Sequence, residues 1–284
     1  MKIGVVRGTL GADFVSTVKL MATANVEGIQ PYANIYRDVE DLNTQLTPSK
    51  IAEYKRILEG ENIQISALCG DLGCDMFYTN DRKIIDLEKR IMEVAKEFGT
   101  KIVTTHIGVV PEDKNCKQYE SMHNVCYELA KFADEIGGRF ALETGPEKAS
   151  LLKEFLDGLD SRGVSVNLDP ANLVMCAGDD PVQAVYTLKD YIVHTHAKDG
   201  KQLVPVDTRR LYAPQYYGVE PAAFEDYIIE LPLGEGNVDW VRYLKALKDI
   251  GYDGYLTIER EYGADPVKDI KMAVGFLKEK LEKI

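Results

Sequence analysis

Short β-prone runs alternate with longer helical runs along nearly the whole chain of 284 residues. The predicted strands begin near eight residues: Ile3, Val26, Ile63, Lys101, Arg139, Val164, Ile192 and Tyr255. Eight strands alternating with eight helices in a chain of this length favour a closed (β/α)8 barrel of the α/β class over an open sheet. No stretch rich in proline, glycine or serine divides the chain. We therefore expect residues 1–284 to form a single domain.

Helix boundaries support this count. Asp180-Pro181 and Asp265-Pro266 each place an N-cap residue before a proline at the first helical position. Gly99 and Gly251 follow helical runs, where a glycine commonly ends a helix. Between such boundaries, residues 82–98 repeat apolar side chains at roughly helical spacing. These signals predict where several of the outer helices begin and end.

Four of the predicted strands end in a polar residue that a metal ion can bind: Glu143, Asp169, His196 and Glu259. In each strand the aliphatic residues occupy the opposite parity, and side chains alternate across a strand. The carboxyl ends of barrel strands meet on one face, so these residues of strands five to eight are expected to lie close together. His194, two residues before His196, is expected one layer deeper and outside the ligand set.

Three carboxylates and one imidazole suit a single divalent cation that prefers oxygen ligands. Mn²⁺ is the first choice for this site, and Mg²⁺, Co²⁺ or Zn²⁺ are alternatives. Ordinary polar strand ends are the competing interpretation for any one of these residues. Their shared position in four strands favours a common site.

The composition of the chain limits the classes of molecule that it is expected to bind. The chain has 34 basic and 46 acidic residues, a formal charge of −12, which opposes nonspecific binding to nucleic acid. A neutral small molecule such as a sugar or polyol is an easier partner. The five cysteines are odd in number and lack a Cys-x-x-Cys spacing, so neither a disulfide framework nor a cysteine zinc site is expected.

The ends and apolar runs of the chain give an expectation for its location. Met1 leads straight into a short predicted strand, without a basic and then apolar signal segment. No apolar stretch is long enough to span a bilayer, so no membrane association is expected. We expect a cytoplasmic protein.

Several segments together resemble the xylose isomerase-like TIM barrel superfamily, particularly its sugar phosphate isomerase/epimerase branch. The resemblance extends over nearly the full length and rests on the order and spacing of five segments: residues 141–145, 166–173, 194–200, 234–240 and 251–259. In the ketose 3-epimerases of this group, residues that match Glu143, Asp169, His196 and Glu259 hold a metal ion. The two glutamates also move the proton. The resemblance therefore implies a metal-dependent sugar isomerase or epimerase with Glu143 and Glu259 as catalytic residues.

One position departs from this pattern. Epimerases commonly have a histidine that contacts substrate three residues after the metal-binding aspartate, and here that residue is Asn172. Asparagine can hydrogen-bond a hydroxyl group but does not titrate near neutral pH. The departure leaves the substrate and the reaction open.

Four further polar residues are candidate substrate contacts, each with a plainer alternative. His106 ends the fourth strand and is expected either to contact substrate or to be a buried, hydrogen-bonded histidine. Lys198 could position substrate or pair with the neighbouring Asp199. Glu147 is predicted chiefly to be a solvated carboxylate in a loop, with substrate contact as the alternative. Arg209 lies in a long loop that follows the seventh strand.

That loop is an insertion at about residues 200–236. Long loops in compact domains are often functional. We expect this one to lie over the barrel mouth, where its arginines would hold hydroxyl or phosphate groups and its tyrosines would cover the sugar. Packing against a neighbouring subunit of a homo-oligomer is the alternative. The charged and aromatic residues of the loop are Asp207, Arg209, Arg210, Tyr212, Tyr216 and Tyr217.

At the end of the loop, Gly234-x-Gly236 resembles a phosphate loop only superficially. A third glycine is missing, no strand is predicted immediately before the pair, and Asn237 is expected to cap the next helix. No nucleotide cofactor is inferred.

The expected chemistry is proton transfer next to a ketone through an enediolate, whose charge a divalent cation stabilises as it forms. Return of the proton to the same carbon gives epimerisation, and return to the neighbouring carbon gives isomerisation. Loss of a hydroxyl group instead gives a dehydratase, and an enzyme that acts on a cyclic polyol ketone of the inosose type is the main alternative.

Two further hypotheses assign the protein to other functional classes. A noncatalytic sugar-binding barrel has the same fold and a similar ligand site, because fold does not fix function. An endonuclease IV-like DNA repair enzyme would need a multi-zinc cluster with more histidines than the four of this chain, of which His123 lies in a helical run. The overall charge also argues against a surface that binds DNA.

Overall fold

A computed structural model describes residues 1–260 and 265–284. Eight parallel strand positions form a barrel, and the third position consists of two short strands, β3 and β4. β9 and β10 form a separate antiparallel pair. In chain order the strands are β1 (Lys2–Thr9), β2 (Gly28–Tyr32), β3 (Gln64–Ile65), β4 (Leu68–Cys69), β5 (Ile102–Thr105), β6 (Arg139–Glu143), β7 (Val164–Leu168), β8 (Ile192–Ala197), β9 (Asp199–Gln202), β10 (Ile228–Leu231) and β11 (Tyr255–Ile258).

The barrel closes because β1 pairs with both β2 and β11. Lys2 aligns with Tyr255 on one side, and Gly4 aligns with Gly28 on the other. From β1, the strands follow around the barrel in the order β11, β8, β7, β6, β5, β4 and β2. This arrangement confirms the predicted closed (β/α)8 barrel. The largest difference between a predicted and an observed strand start is at the second strand, which was expected near Val26 and begins at Gly28.

Thirteen α-helical segments occur in the described part of the chain, not the eight expected. Eight of them follow the eight barrel positions in turn, and the other five are short helices within loops. In chain order they are α1 (Phe14–Ala22), α2 (Val39–Gln45), α3 (Pro48–Gly60), α4 (Asp75–Thr79), α5 (Arg82–Glu97), α6 (Lys117–Ile136), α7 (Ala149–Leu159), α8 (Pro170–Asn172), α9 (Pro181–Thr187), α10 (Arg209–Tyr212), α11 (Pro214–Tyr217), α12 (Trp240–Asp249) and α13 (Pro266–Leu281). The loop helices are α2, α4, α8, α10 and α11.

The predicted helix boundaries are confirmed. The Asp180 side chain accepts a hydrogen bond from the backbone N–H of Val182 at the start of α9, and Asp265 accepts one from Lys268 in α13. Gly99 follows α5 with φ +90°, a conformation that costs glycine little. The buried face of α5 carries the predicted apolar residues, and packing of such faces on the strands forms the core of the protein.

The segment at residues 200–236 contains short regular elements. β9 and β10 form a hairpin-like pair, and α10, α11 and a 3₁₀ turn at Phe224–Asp226 lie between them. The expectation for the glycine pair was wrong in one detail, because Asp239 rather than Asn237 caps α12. β10, a strand that was not predicted, ends at Leu231, and two residues separate it from Gly234. Asn237 instead donates its backbone N–H to Gly200, 2.9 Å away, which holds it in the preceding turn.

An internal carboxylate explains the glycine pair. The buried side chain of Asp199 accepts hydrogen bonds from the backbone N–H groups of Gly234 (2.8 Å) and Val238 (3.2 Å) and from the indole N–H of Trp240 (2.9 Å). A Cβ atom at Gly236 would overlap this carboxylate. The loop therefore wraps a side chain of the protein itself, as backbone N–H groups often do around an anion.

No helix among the described residues is long and apolar enough to cross a membrane.

Candidate metal centre and substrate cavity

The fold brings together the four residues predicted from the strand ends. Glu143 ends β6, Asp169 follows β7, His196 lies in β8 and Glu259 follows β11, and these four strands are neighbours around the barrel. One ligand atom from each residue lies within 4.8 Å of the others. All four side chains are buried. We refer to these four residues as the acidic cage.

His196 lies at the centre of the acidic cage. Its Nδ1 atom lies 3.4 Å from Glu143 Oε1, 3.5 Å from Asp169 Oδ2 and 3.2 Å from Glu259 Oε2. The other ring nitrogen, Nε2, lies 3.2 Å from the side-chain oxygen of Gln30. When Nε2 donates its hydrogen to Gln30, Nδ1 presents its lone pair to the carboxylates. A cation bound between this lone pair and the carboxylate oxygens would attract both the nitrogen and the oxygens.

A buried oxygen without a partner supports the same conclusion. Among the described residues, Asp169 Oδ2 has no hydrogen-bond donor, although it is fully buried. The other oxygen, Oδ1, accepts a hydrogen bond of 2.9 Å from the backbone N–H of Asn172 and so caps α8. An unpaired carboxylate oxygen in the protein interior is costly unless an ion or a donor compensates it. The donor set and this oxygen therefore fit a divalent cation.

Polar residues that the sequence interpretation missed support the acidic cage from below. Asn167 donates to Glu143 Oε2 over 3.0 Å and lies 3.1 Å from His196 Nε2. Gln30 also contacts His194, 2.9 Å away, and His194 lies one layer below the acidic cage as predicted. Burial lowers the pKa of His194 to about 3, so this histidine is neutral. The signal for Asn167 was present in the sequence, because it shares the strand parity of Asp169.

His106 connects the acidic cage to a carboxylate that the sequence interpretation did not name. Its Nδ1 lies 3.0 Å from Asp71, and its Nε2 lies 3.3 Å from Glu143 Oε1. Burial alone would lower the pKa of His106, but the charge of Glu143 and the hydrogen bond with Asp71 raise it well above its usual value. Asp71 follows β4, so the rule that identified the other strand-end residues applied to it as well.

The two glutamates of the acidic cage have different neighbours. Asn172 donates a hydrogen bond to Glu143 Oε1 over 3.0 Å, and Lys198 donates one to Glu259 Oε2 over the same distance. Burial would raise the pKa of Glu259, but the charges of Lys198 and His196 lower it to about 2. The charges of two histidines likewise outweigh burial and lower the pKa of Glu143 well below its usual value. Both carboxylates are therefore held in the charged form.

A cavity of about 840 Å³ opens beside the acidic cage. Its polar lining includes His106, Asn172 and Lys198, which were predicted to contact substrate, together with Asp71 and Glu230. The segment at residues 200–236 supplies part of the wall. The apolar and aromatic lining residues are Met175, Tyr212, Phe224, Ile228 and Ile229.

The other two predicted contacts, Glu147 and Arg209, line a second cavity. The expectation of a solvated Glu147 was wrong. Its side chain is buried and accepts a hydrogen bond of 3.2 Å from the backbone N–H of Val110, and burial raises its pKa to about 8. Arg209 forms a bidentate ion pair with Asp207, with distances of 2.9 and 2.7 Å.

The tyrosines of the 200–236 segment differ in their surroundings. Tyr216 stacks on Tyr78 with ring centroids 4.2 Å apart and donates to Asp75, 2.8 Å away. Tyr217 donates its hydroxyl hydrogen to the carbonyl of Val109 over 2.6 Å. Tyr216 therefore attaches the segment to α4, and Tyr217 attaches it to the loop that follows β5. Of the three tyrosines that were predicted to cover the sugar, Tyr212, Tyr216 and Tyr217, only Tyr212 lines the cavity beside the acidic cage.

Comparison with known proteins gives matches along most of the chain. A family model described as the xylose isomerase-like TIM barrel matches residues 18–280. An uncharacterized protein of Methanocaldococcus jannaschii is 24% identical over 255 residues, which cover 84% of this chain and 78% of that protein. An inosose dehydratase of Lacticaseibacillus casei is 26% identical over 155 residues. That match covers 53% of this chain and 49% of the dehydratase, so it spans about half of each.

Solved structures match over the full length. A xylose isomerase domain protein from Planctomyces limnophilus has a TM-score of 0.78 and 23% identity, covering 100% of this chain and 97% of that chain. A D-tagatose 3-epimerase-like protein has a TM-score of 0.71 and 22% identity, covering 100% and 98%. The IOLI protein with a bound zinc atom has a TM-score of 0.68 and 18% identity, covering 100% and 99%. At these identities the structures show a shared fold.

Proposed function

Because the chain belongs to the xylose isomerase-like TIM barrel family, we propose that it is a divalent-metal-dependent isomerase or epimerase of a sugar ketone or related polyol. The observation that carries this proposal is the acidic cage, in which two glutamates from different strands face one buried site. The epimerase-like neighbour in structure and the sugar-related family description are consistent with it. A small molecule is the partner, with no role for nucleic acid or membrane.

Glu143, Asp169, His196 and Glu259 would hold the cation. One structural neighbour carries a zinc atom, which is consistent with a metal bound in a barrel of this fold. Three oxygen donors and one nitrogen donor favour Mn²⁺, with Mg²⁺, Co²⁺ and Zn²⁺ as alternatives. Bound there, a divalent cation supplies positive charge that stabilises the negative charge developing on the substrate oxygens as a proton leaves the adjacent carbon.

Glu143 and Glu259 carry the proton. They approach the site from β6 and β11, which are separated by β7 and β8. One carboxylate can therefore take a proton from one side of the substrate carbon while the other returns it from the opposite side. Both pKa values lie below their usual range, so either group can act as the base. The group that returns a proton to the opposite side must first have taken one up from solvent or in a previous turnover. Lys198 and Asn172 position these carboxylates through their hydrogen bonds.

Substrate would be held by the polar end of the first cavity. His106, Asn172 and Lys198 place hydrogen-bonding groups there, next to the acidic cage. The predicted contact of Glu147 and Arg209 with substrate would require a substrate that extends into the second cavity. It stays a prediction. The same holds for closure of the 200–236 segment over the barrel mouth.

A dehydratase that acts on a cyclic polyol ketone is the second candidate. The match to an inosose dehydratase favours it. The same bases serve this reaction, because elimination also begins with removal of a proton beside a ketone. Loss of water lowers the mass of the product, whereas epimerisation and isomerisation leave it unchanged. Mass spectrometry of the product therefore separates the two candidates.

Solvent exchange tests the proposed function. Purified protein with Mn²⁺ is incubated in deuterated water with a panel of ketoses and inososes, and deuterium in the recovered substrate is measured by mass spectrometry. We expect exchange on at least one compound, slowed about 10²- to 10⁴-fold by Glu143→Gln or Glu259→Gln, because glutamine keeps the shape but is not a base. Glu88→Gln, which changes a buried glutamate of α5 outside the site, is the matched control.

Metal content of each variant is measured in the same samples, and rates are compared at equal occupancy. Undiminished exchange in both metal-loaded variants would contradict the role of the glutamates. Ligand binding without exchange or change of mass on any compound would instead support a noncatalytic sugar-binding barrel.

A further inference from the structure

The cavity beside the acidic cage has two chemically different ends. His106, Asn172 and Lys198 form the end next to the buried carboxylates. The other end reaches the surface at the 3₁₀ turn and β10, where Ile229 is 42% exposed. There Phe224 packs edge-on against Tyr212 with ring centroids 5.4 Å apart. The inner end suits hydroxyl and carbonyl groups, and the outer end suits an apolar group.

The size of the cavity exceeds the need of a single sugar ring. Its volume is about 840 Å³. Sites of roughly 300–1,000 Å³ bind drug-sized ligands, which are much larger than a free monosaccharide. A sugar ring held at His106 and Lys198 therefore leaves the space against Phe224 and Ile229 to be filled by a further part of the substrate or by water.

The charges around the cavity oppose an anionic substituent. Among the described residues that line it, the acidic ones are Glu225, Asp71, which contacts His106, and Glu230, which pairs with Arg260. The basic ones, His106 and Lys198, already lie against Glu143 and Glu259. A phosphate group normally needs arginine, lysine or backbone donors directed at it.

The second cavity offers no better place for a phosphate. Its arginine, Arg209, is engaged by Asp207 in a bidentate ion pair. Among the described lining residues, the acidic ones outnumber the basic ones there as well: Glu112, Asp113, Glu154 and Asp207 against Lys148 and Arg209, without Glu147, whose raised pKa of about 8 favours its neutral form. A phosphate group that extended from the sugar toward either cavity would meet mainly negative charge.

We infer that the substrate of the proposed reaction is an unphosphorylated sugar ketone that carries a bulky apolar substituent. The inference rests on the proposed function for the position of the sugar ring at the acidic cage. The substituent lies against Phe224, Ile228 and Ile229, where its apolar surface leaves water. These residues determine specificity, and they do not take part in the chemical step.

A matched set of ligands tests the inference. D-Fructose, its 1- and 6-phosphates, and its 1- and 6-O-benzyl ethers are titrated into the protein by calorimetry at a fixed concentration of free Mn²⁺. We expect at least one benzyl ether to bind about tenfold more tightly than D-fructose, since tenfold corresponds to about 1.4 kcal/mol and burial of a ring at an apolar wall supplies that much. Both phosphates are expected to bind more weakly than D-fructose.

Variants on the same hairpin connect this preference to the cavity wall. Phe224→Ala and Ile229→Ala are expected to remove most of the benzyl preference and to leave the affinity for D-fructose within about twofold. Leu203→Ala is the matched control, because Leu203 is 53% exposed on the same hairpin and does not line the cavity. We expect this control to bind every ligand as the unchanged protein does.

Equal affinity for D-fructose and its benzyl ethers, binding of none of them, or tighter binding of a phosphate overturns the inference. A benzyl preference that survives Phe224→Ala and Ile229→Ala overturns it also. Deuterium exchange on the same ligands distinguishes this failure from failure of the proposed function. Exchange without a benzyl preference contradicts only the substrate class, whereas a benzyl preference without exchange on any sugar ketone contradicts only the reaction.

Discussion

Glu143, Asp169 and Glu259 are buried together at the carboxyl ends of the barrel strands, whereas Glu88 is buried by itself in α5. Neither carboxylate oxygen of Glu88 has a hydrogen-bond partner among the described residues. Gly70 lies directly against it, and a Cβ atom there would lie 2.9 Å from Glu88 Oε1. Both regions therefore bury carboxyl groups, and they differ in the groups that surround them.

This difference decides which form each carboxyl group takes. Burial, helped by the charge of Asp71, raises the pKa of Glu88 well above its usual value and favours the neutral acid. In the acidic cage the same burial is outweighed at Glu143 and Glu259 by neighbouring histidines and Lys198. Charged carboxylates persist in the interior only where other groups compensate them. The surroundings of Glu143 and Glu259 therefore keep these two carboxylates charged, and those of Glu88 do not.

The largest expected difference between the regions is in metal content. Asp169→Asn removes one charge from the acidic cage and is expected to lower the affinity for Mn²⁺ by about 10²-fold or more, since loss even of groups that only support metal ligands costs 10–100-fold. Glu88→Gln removes a buried carboxyl group elsewhere and should leave the metal content unchanged. Elemental analysis after dialysis against limiting Mn²⁺ measures both. If both variants lost the same amount of Mn²⁺, or neither lost any, the proposed difference between the two regions would be contradicted.

A smaller effect is expected on stability. Mn²⁺ at one hundred times its dissociation constant should raise the free energy of unfolding by about 2.7 kcal/mol, because it binds the folded form alone. Glu88→Gln should show the same gain, and Asp169→Asn should show little of it. Urea unfolding with Mn²⁺ and with a chelator gives these values. A gain that Asp169→Asn retains would place the stabilising ion elsewhere.

The smallest effect concerns Glu88 itself. Glu88→Met replaces an unpaired polar group by an apolar chain of similar length and should stabilise the fold by about 1–3 kcal/mol near neutral pH. The pKa of Glu88 is higher in the folded protein than in the unfolded chain. Its contribution to stability is therefore fully present below the pKa of the unfolded chain and is lost as pH rises through the pKa of the folded protein. The advantage of Glu88→Met should therefore grow as pH rises above about 4.5.

Urea unfolding at several pH values measures this trend. A Glu88→Met variant that is less stable than the unchanged protein at every pH would mean that Glu88 has a partner or role beyond those described.

The two regions also differ in how far the sequence predicted them. The four residues of the acidic cage follow from strand parity and strand ends, because barrel topology brings such positions together. Asn167 and Asp71 could have been found by the same rules. Gln30 could not be assigned a role in this way, because its contact with His196 depends on how the two side chains meet across the barrel.

Glu88 and the 200–236 segment show where such rules end. The helical spacing of α5 was predicted, but burial of Glu88 depends on how closely the helix approaches Gly70. The segment contains short elements that are held by contacts distant in sequence, such as Tyr216 with Asp75. The position of the cap of α12 at Asp239 depends on the turn that Asp199 organises. Local patterns do not contain this information.

We propose that the acidic cage binds one divalent cation. Anomalous diffraction at the manganese edge from crystals grown with Mn²⁺ tests it most directly. We expect one strong peak per chain, within bonding distance of Glu143, Asp169, His196 and Glu259. A strong peak elsewhere with none between these four residues, or no peak in crystals whose protein retains Mn²⁺ by elemental analysis, would contradict it.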